Sequence, residues 1–128
     1  MTAPTSSIRE YQIGARSTDV FGRVLCNARD HHFIVDGPVQ NGCPGEEVTP
    51  PELLLSSVAA CGVELIQVIA KEQSQRVGSV EVSVHGMLDR ANQPRPNVTV
   101  YNKVHMTFTL QGTDGATASQ LVEAFKRR

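Results

Sequence analysis

One stretch decides the fold: Thr49 to Glu72, which reads TPPELLLSSVAACGVELIQVIAKE. Its first residues predict a helix start, because Thr49 can serve as the N-cap, Pro50 suits the first helical position and Glu52 closes a capping box. Apolar residues then follow on all sides of the helix rather than along one stripe, and such a helix is expected to be buried. One sheet covers only one side of it. We therefore expect a second copy of the chain to cover the other side.

The segments around this helix carry the patterns of strands and of a second helix. Five segments are expected to form strands, the last two with clear period-two alternation: residues 8–15, 20–28, 31–36, 80–88 and 98–110. A capping box at Thr117 and Gln120 predicts a final helix with one apolar stripe. The order indicates one α+β domain over residues 1–128, with an antiparallel sheet wrapped around a long buried central helix.

Composition excludes several classes of function. A net charge of -1 gives no basic surface for nucleic acid. Glu64 and two serines interrupt the longest apolar run, so we expect no membrane span, and residues 1–11 lack the apolar core of a leader. The 3 cysteines match no zinc spacing and are expected to be reduced thiols of a cytoplasmic protein. The histidines have no cysteine or carboxylate at ligand spacing, so neither a metal nor another cofactor is expected.

The helix stretch, followed by VGSVEVSVHGMLD, resembles the OsmC/Ohr family of thiol-dependent peroxidases, and more specifically its OsmC-like branch. The matching residues are Pro50, Glu52, Leu53, Leu54 and Cys61. The resemblance implies an intertwined homodimer with active sites at the subunit interface. It implies that Cys61 is the peroxidatic thiol, that small organic hydroperoxides are the substrates, and that a thiol or dithiol restores the enzyme.

The cysteines leave two questions open. Taken by itself, Cys61 is more simply interpreted as a small apolar residue of the core, since free cysteine is often buried, and only the resemblance favours a reactive role. The resemblance also implies a resolving cysteine after the last helix, and the sequence ends at Arg128, about where it would begin. Cys43, in a loop rich in glycine and proline, could take that role or be an incidental exposed thiol, and Cys26 is most simply a core residue.

Other candidate site residues are Glu52 and an arginine. The first turn of a helix is where its dipole acts, and Cys61 lies three turns in, so a cation is needed to stabilise its thiolate. The resemblance implies an arginine on an early strand, which is Arg16 or Arg23, and Arg23 fits better because Phe21 and Leu25 share its face. An alternative is that Arg23 extends from a strand edge into solvent.

Glu52 has two interpretations. Closure of the capping box explains its presence without any catalytic role. Nine residues separate it from Cys61, which places the two on opposite faces of a straight helix and about 13 Å apart along the axis. A catalytic Glu52 would therefore have to act across the dimer interface or through an arginine that it orients.

The sequence thus predicts a peroxidase with Cys61, Glu52 and Arg23 as its site residues. Two other functions stay open: a non-catalytic protein that binds a small hydrophobic ligand in the dimer crevice, and a redox sensor without turnover.

Overall fold

The computed structural model describes residues 7–128. The chain forms two compact units, residues 1–52 and residues 53–128, and each contains an antiparallel sheet. The expectation that residues 1–11 contain no leader lies partly outside the described residues.

The first unit contains a three-stranded sheet in the order β1–β2–β3. The strands are β1 (Ile13–Ser17), β2 (Arg23–Ala28) and β3 (His31–Asp36). The bounds predicted for β3 are confirmed, and the turn before it lies at Arg29, whose φ of 56 is in the left-handed region.

Strands β1 and β2 are shorter than predicted. The ladder between them starts at Ile13 opposite Ala28, and the chain beyond Ala28 turns into β3, so β1 begins at Ile13 rather than at residue 8. At the other end the turn takes up residues that we had placed in β2. There the hydroxyl of Thr18 accepts the amide of Val20 at 3.1 Å, and Gly22 adopts a φ of 81.

The second unit holds most of the long helix, a two-stranded sheet and the final helix. These elements are α1 (Pro50–Glu72), β4 (Ser79–Met87), β5 (Lys103–Gln111) and α2 (Gly115–Lys126). Strands β4 and β5 are antiparallel neighbours, and polar side chains alternate with half-buried apolar ones along most of their length. The chain is therefore α+β, with antiparallel sheets and one long helix, as the sequence predicted.

The core of the second unit lies where the two helices meet one face of the β4–β5 sheet. Ile66 and Leu121 are fully buried at its centre, and Ile69 joins them. Phe108 of β5 meets Phe125 of α2 edge-on, with ring centroids 5.3 Å apart. The apolar stripe predicted for the last helix is thus confirmed as the side that packs into the core.

The segment 98–102 is not part of β5, contrary to the prediction. The side-chain amide of Gln93 takes the place of a neighbouring strand: its Oε1 accepts the Val100 amide at 2.7 Å, and its Nε2 donates to the Val100 carbonyl at 3.1 Å. Asn102 adds a further bond by accepting the Asp89 amide at 2.7 Å. A polar loop therefore satisfies the backbone that the alternation had assigned to a strand.

The predicted capping box of α2 at Thr117 and Gln120 is wrong by one turn. The N-cap is Asp114, whose carboxylate accepts the Thr117 amide at 2.7 Å. Aspartate is as strong an N-cap as threonine, and Gly115 and Ala116 continue the helix behind it without steric conflict.

Helix α1 is buried along one face within the chain rather than on all sides as expected. Its buried residues are Gly62, Ile66, Ile69 and Ala70, while Leu54 is 57% exposed. By length and composition alone α1 could also cross a membrane, with a mean hydropathy of 2.0, so the interruption by Glu64 does not exclude a span on this measure. The contacts of its buried face with β4 and β5 give the same apolarity a role in packing.

Candidate functional site

Cys61 lies on the exposed side of α1. Its neighbour Gly62 is buried, and a Cβ added there would lie 3.2 Å from Met106 Cε and 3.4 Å from both Phe108 and Val82, so this face of α1 approaches the sheet closely. Successive residues of a helix are rotated by about 100°, which turns Cys61 away from that contact. The thiol is free and exposed. The interpretation of Cys61 as core filler therefore does not describe its position in the single chain.

The exposed side of α1 near Cys61 is a mixed surface. Three residues lie on nearly the same side of the helix as Cys61: Leu54, seven residues before it, Ser57, four residues before it, and Glu64, three residues after it. All are exposed in the chain. Within residues 53–128 the thiol has no hydrogen-bond partner, and Glu64 contributes a negative charge nearby. A thiolate at this position needs a cation from outside this part of the helix.

Glu52 closes the start of α1. Its Oε1 accepts the amide of Thr49 at 3.0 Å and the hydroxyl of Thr49 at 2.7 Å. The hydroxyl bond, followed by the amide bond, holds the pKa of Glu52 below its ordinary value, so the carboxylate is ionised at neutral pH. The bond from the Thr49 amide to the Glu52 carboxylate confirms that half of the predicted capping box. The catalytic role of Glu52 stays a prediction.

Arg23 forms a two-pronged ion pair with Asp36. The two residues lie directly opposite each other in the β2–β3 ladder. Nε of Arg23 donates to Oδ1 of Asp36 at 2.8 Å, and Nη2 donates to Oδ2 at 2.8 Å. Asp36 is fully buried, and this geometry is the one in which a guanidinium binds a carboxylate most strongly.

Asp36 also organises the loop that precedes α1. Its Oδ2 accepts the backbone amides of Glu46 at 3.0 Å and of Glu47 at 2.9 Å. The Arg23 guanidinium, assisted by these amides, holds the pKa of Asp36 far below its ordinary value, and the carboxylate in turn raises the pKa of Arg23. This buried carboxylate therefore fixes both the arginine and the loop.

A second carboxylate shares the guanidinium. Glu46 accepts from Nη2 of Arg23 at 3.1 Å, and its side chain is 76% exposed, so this pair is screened by solvent and readily exchanged. Within residues 7–52, Nη1 of Arg23 has no hydrogen-bond partner. The Arg23 guanidinium is thus fixed by Asp36 rather than extended freely into solvent, and its Nη1 can donate to another acceptor.

The sequence analysis missed Asp36, which it placed at the end of a predicted strand without a role in the site. The signal was present in the β2–β3 hairpin. A turn at residues 29 and 30 pairs Ala28 with His31, and following the ladder outward brings Arg23 opposite Asp36. Register, rather than distance along the chain, identifies the partner of an arginine on a strand.

Arg16 is the other candidate arginine. It lies in β1 opposite Leu25 and is exposed. With Leu25, Asn27 and His32 it lines an open cleft of about 290 Å³ on one face of the first sheet. No ion pair involves Arg16 within residues 7–52, so its charge is not neutralised as that of Arg23 is.

Cys43 occupies a niche between two glycines. A Cβ added at Gly37 would lie 2.5 Å from Cys43 Sγ, and one added at Gly22 would overlap the same atom. The thiol donates a weak bond to the Asn41 carbonyl at 3.8 Å. Cys43 is therefore half-buried and packed rather than a freely exposed loop thiol, and it must leave this niche before it can resolve a sulfenic acid.

The remaining cysteine, Cys26, lies half-buried in β2 between Ala15 and Phe33 of the neighbouring strands. Across residues 7–128 no group of three or more histidine, cysteine or acidic side chains converges on one point. Of the predicted site residues, Arg23 and Glu52 have separate partners, Asp36 and Thr49, in the first unit.

The fold is similar to that of several solved structures. An OsmC-like protein from Mycoplasma pneumoniae superposes with a TM-score of 0.76 at 15% identity, over 94% of this chain and 82% of that one. An organic hydroperoxide resistance protein from Elizabethkingia anophelis gives 0.74 at 14% identity, over 96% and 85%. A Legionella pneumophila protein described as the organic hydroperoxide resistance protein OsmC gives 0.70 at 17% identity, over 95% and 85%.

Sequence comparison gives the family. No curated protein matches the chain. A family model described as OsmC-like protein matches residues 43–128, which include α1 with Cys61, both strands of the second sheet and α2. The match covers well over half of the chain, which therefore belongs to the family of OsmC-like proteins.

Proposed function

We propose that the protein is a thiol-dependent peroxidase that reduces small organic hydroperoxides in the defence against oxidative stress, with Cys61 as its nucleophile. The observation that carries the proposal is the position of Cys61: a free, exposed thiol on α1, within the residues that match the OsmC-like family. Two proteins of similar fold bear the description of organic hydroperoxide resistance proteins, which supports the same role here.

The surface around Cys61 suits an organic peroxide. Leu54 lies about two turns before Cys61 on nearly the same side of α1, and Leu53 is its neighbour in the chain. Both are exposed, so they offer apolar surface to the organic group of a peroxide. The same exposed face of α1 is the surface that we propose a second copy covers in a homodimer. Such an interface would exclude water from the thiolate and complete the site.

The proposed reaction has two steps. The Cys61 thiolate attacks one oxygen of the hydroperoxide, an S–O bond forms as the O–O bond breaks, and the departing alkoxide takes a proton and leaves as an alcohol. Cysteine is oxidised to sulfenic acid and the peroxide is reduced. A thiol or dithiol reductant then reduces the sulfenic acid, which returns the thiol and releases water and a disulfide of the reductant.

Arg23 is the proposed source of positive charge for the thiolate. Asp36 fixes its Nε and Nη2, while Nη1 and the exchangeable bond to Glu46 leave one edge of the guanidinium able to accept another anion. Displacement of the exposed Glu46 by a thiolate would exchange a screened pair for a less hydrated one. Arg16, with an unneutralised charge, is the alternative and is tested beside it. Glu52 is proposed to act on this arginine from its capped, ionised position.

The proposal is tested by hydroperoxide consumption in the presence of dithiothreitol. The wild-type protein should consume cumene or tert-butyl hydroperoxide catalytically, and Cys61→Ser should not. Cys26→Ser, the same substitution at a half-buried cysteine, should behave as wild type. Cys43→Ser separates a two-cysteine cycle, in which turnover with a dithiol falls, from direct reduction of Cys61 by the external thiol. We also propose a cytoplasmic location, which supplies such thiols.

Two outcomes would favour the other functions. Stoichiometric oxidation of Cys61 without turnover would replace the peroxidase by a redox sensor. No reaction at Cys61, together with saturable binding of an apolar probe, would replace it by a binding protein.

A further inference from the structure

Two histidines face each other on the outer side of the second sheet. His85 of β4 and His105 of β5 are directly opposite in the antiparallel ladder. Residues paired in this way point to the same face of a sheet, with Cβ atoms about 5 Å apart. Both side chains are exposed, in contrast to the half-buried Val84 and Met106 that point toward the core. The register therefore brings together two imidazoles that the sequence separates.

Neither imidazole is engaged within the second unit. Within residues 53–128 the side chains of His85 and His105 make no hydrogen bond and no ion pair. The flanking pairs on the same face are Ser83 with Thr107 and Met87 with Lys103, none of which carries an acidic group that would hold an imidazolium. Two unengaged nitrogen ligands on a rigid two-stranded scaffold form a preorganised chelate.

We propose that His85 and His105 form a two-imidazole site on the outer face of the β4–β5 sheet for a divalent transition metal of the nickel, copper and zinc class. Imidazole nitrogen suits these ions better than it suits calcium or magnesium, and water completes the coordination sphere. The ammonium of Lys103, diagonal to His85, disfavours a bound cation and places the site in a moderate range of affinity.

The other two histidines provide a matched control. His31 and His32 are consecutive in β3, so their side chains point to opposite faces of the first sheet. Their ladder partners are Ala28 and Asn27, neither of which is an imidazole. A single ion therefore cannot be chelated by this pair, although the number of histidines is the same. Comparing the two histidine pairs therefore separates the effect of strand register on metal binding from the effect of the number of histidines.

The site does not depend on the thiol chemistry proposed for Cys61, because it uses neither the cysteines nor the arginines. Its effect on binding follows from the chelate: once one imidazole holds the ion, the second acts at a high effective concentration. Loss of either imidazole should weaken binding by about 100-fold, which is within the range by which two linked ligands exceed one.

The test is a titration of the untagged full-length protein with Ni²⁺, followed by calorimetry and by paramagnetic broadening of amide NMR signals. Ni²⁺ does not oxidise thiols, and the cysteines are the same in all variants. We expect one ion per chain, with broadening centred on residues 83–87 and 103–107. His85→Ala and His105→Gln should each weaken binding by about 100-fold, and His31→Ala should bind as wild type.

Three results would overturn the proposal: no Ni²⁺ binding at millimolar concentration, binding that survives in both His85→Ala and His105→Gln, or broadening centred on the cysteines or on β3. Circular dichroism of the variants confirms that the exposed substitutions leave the fold intact, so a loss of binding reports the ligand.

Discussion

The packing of Cys43 predicts how much a Gly→Ala substitution at each of three nearby glycines lowers the free energy of unfolding. Gly42 has a φ of 76 and open space around it, so Gly42→Ala meets only the strain of the left-handed conformation, about 1–2 kcal/mol. Gly37 has no positive φ, but a Cβ there would lie 2.5 Å from Cys43 Sγ and 2.8 Å from its Cβ. Overpacking of this kind costs about 1–3 kcal/mol. Gly22 combines a φ of 81 with the same obstruction.

We therefore expect Gly22→Ala to be the most destabilising of the three, by about 2–5 kcal/mol as the sum of the two effects. The measurement is urea unfolding by circular dichroism at one fixed protein concentration, since association would otherwise change the apparent stability. The cause is checked by Cys43→Gly, which removes the obstructing atoms. Gly37→Ala should lose at least about 1 kcal/mol of its effect in that background, whereas Gly42→Ala should be unchanged.

The outcome that would refute this reasoning is equal destabilisation by Gly22→Ala and Gly42→Ala with no coupling of either Gly22 or Gly37 to Cys43. That result would mean that Cys43 does not occupy the niche. Its thiol would then be free to move, and the case for Cys43 as a resolving residue would become stronger.

Three further substitutions test other parts of the structure. Asp36→Asn removes the charge that holds Arg23. Because folding lowers the pKa of Asp36, the stabilisation by its carboxylate is present above about pH 4 and fades as the pH falls further. The urea midpoints of variant and wild type should therefore differ at pH 7 and converge in acid. Equal midpoints at pH 7 would contradict the ion pair. Leu121→Ala, at a fully buried core position, should destabilise the protein by about 2–5 kcal/mol in the same assay, and a loss below about 1 kcal/mol would argue against the packing of α2. Thr49→Ala should destabilise the protein by about 1 kcal/mol by removing the cap hydroxyl, and Glu52→Ala should destabilise it through the same cap. A peroxidase role requires that only the Glu52 variant also loses turnover, and equal turnover in the two would leave Glu52 as a cap alone.

The sequence was sufficient for elements whose pattern reflects one local cause. The start of α1 depends on Thr49, Pro50 and Glu52 within a single turn, and the Glu52 carboxylate accepts the Thr49 amide as one half of the capping box requires. The alternation in β4 and β5 depends on one buried face, and it appears in the burial of the two strands. Local chemistry and tertiary structure agree in these elements, so the predictions were confirmed.

The predictions that were wrong depended on competing side chains. Gln93 binds both backbone groups of Val100 and so replaces the strand that the alternation predicted. Asp114 precedes Thr117 and is at least as good an N-cap, so α2 begins a turn earlier. In both places the deciding contact is a bond from a polar side chain to the backbone, which neither the apolar alternation nor the Thr117–Gln120 spacing detects.

The candidate site was predictable in part for the same reason. Cys61 followed from a family motif on one helix, and its exposure in the chain is compatible with the proposed role. The ion pair between Arg23 and Asp36 follows from the register of the β2–β3 hairpin, and the sequence analysis did not extend that register to residue 23. A second copy of the chain over the exposed face of α1 stays a prediction, drawn from the apolar residues on that face.

Mass spectrometry of Cys61 tests the central claim most directly. The reduced protein is mixed with one equivalent of cumene hydroperoxide, trapped with a sulfenic acid reagent such as dimedone, and digested. The account predicts that the peptide with Cys61 carries the trapped adduct within the time in which the peroxide is consumed, while the peptides with Cys26 and Cys43 do not. An unmodified Cys61 beside peroxide that persists, or an adduct on Cys43 alone, would contradict it.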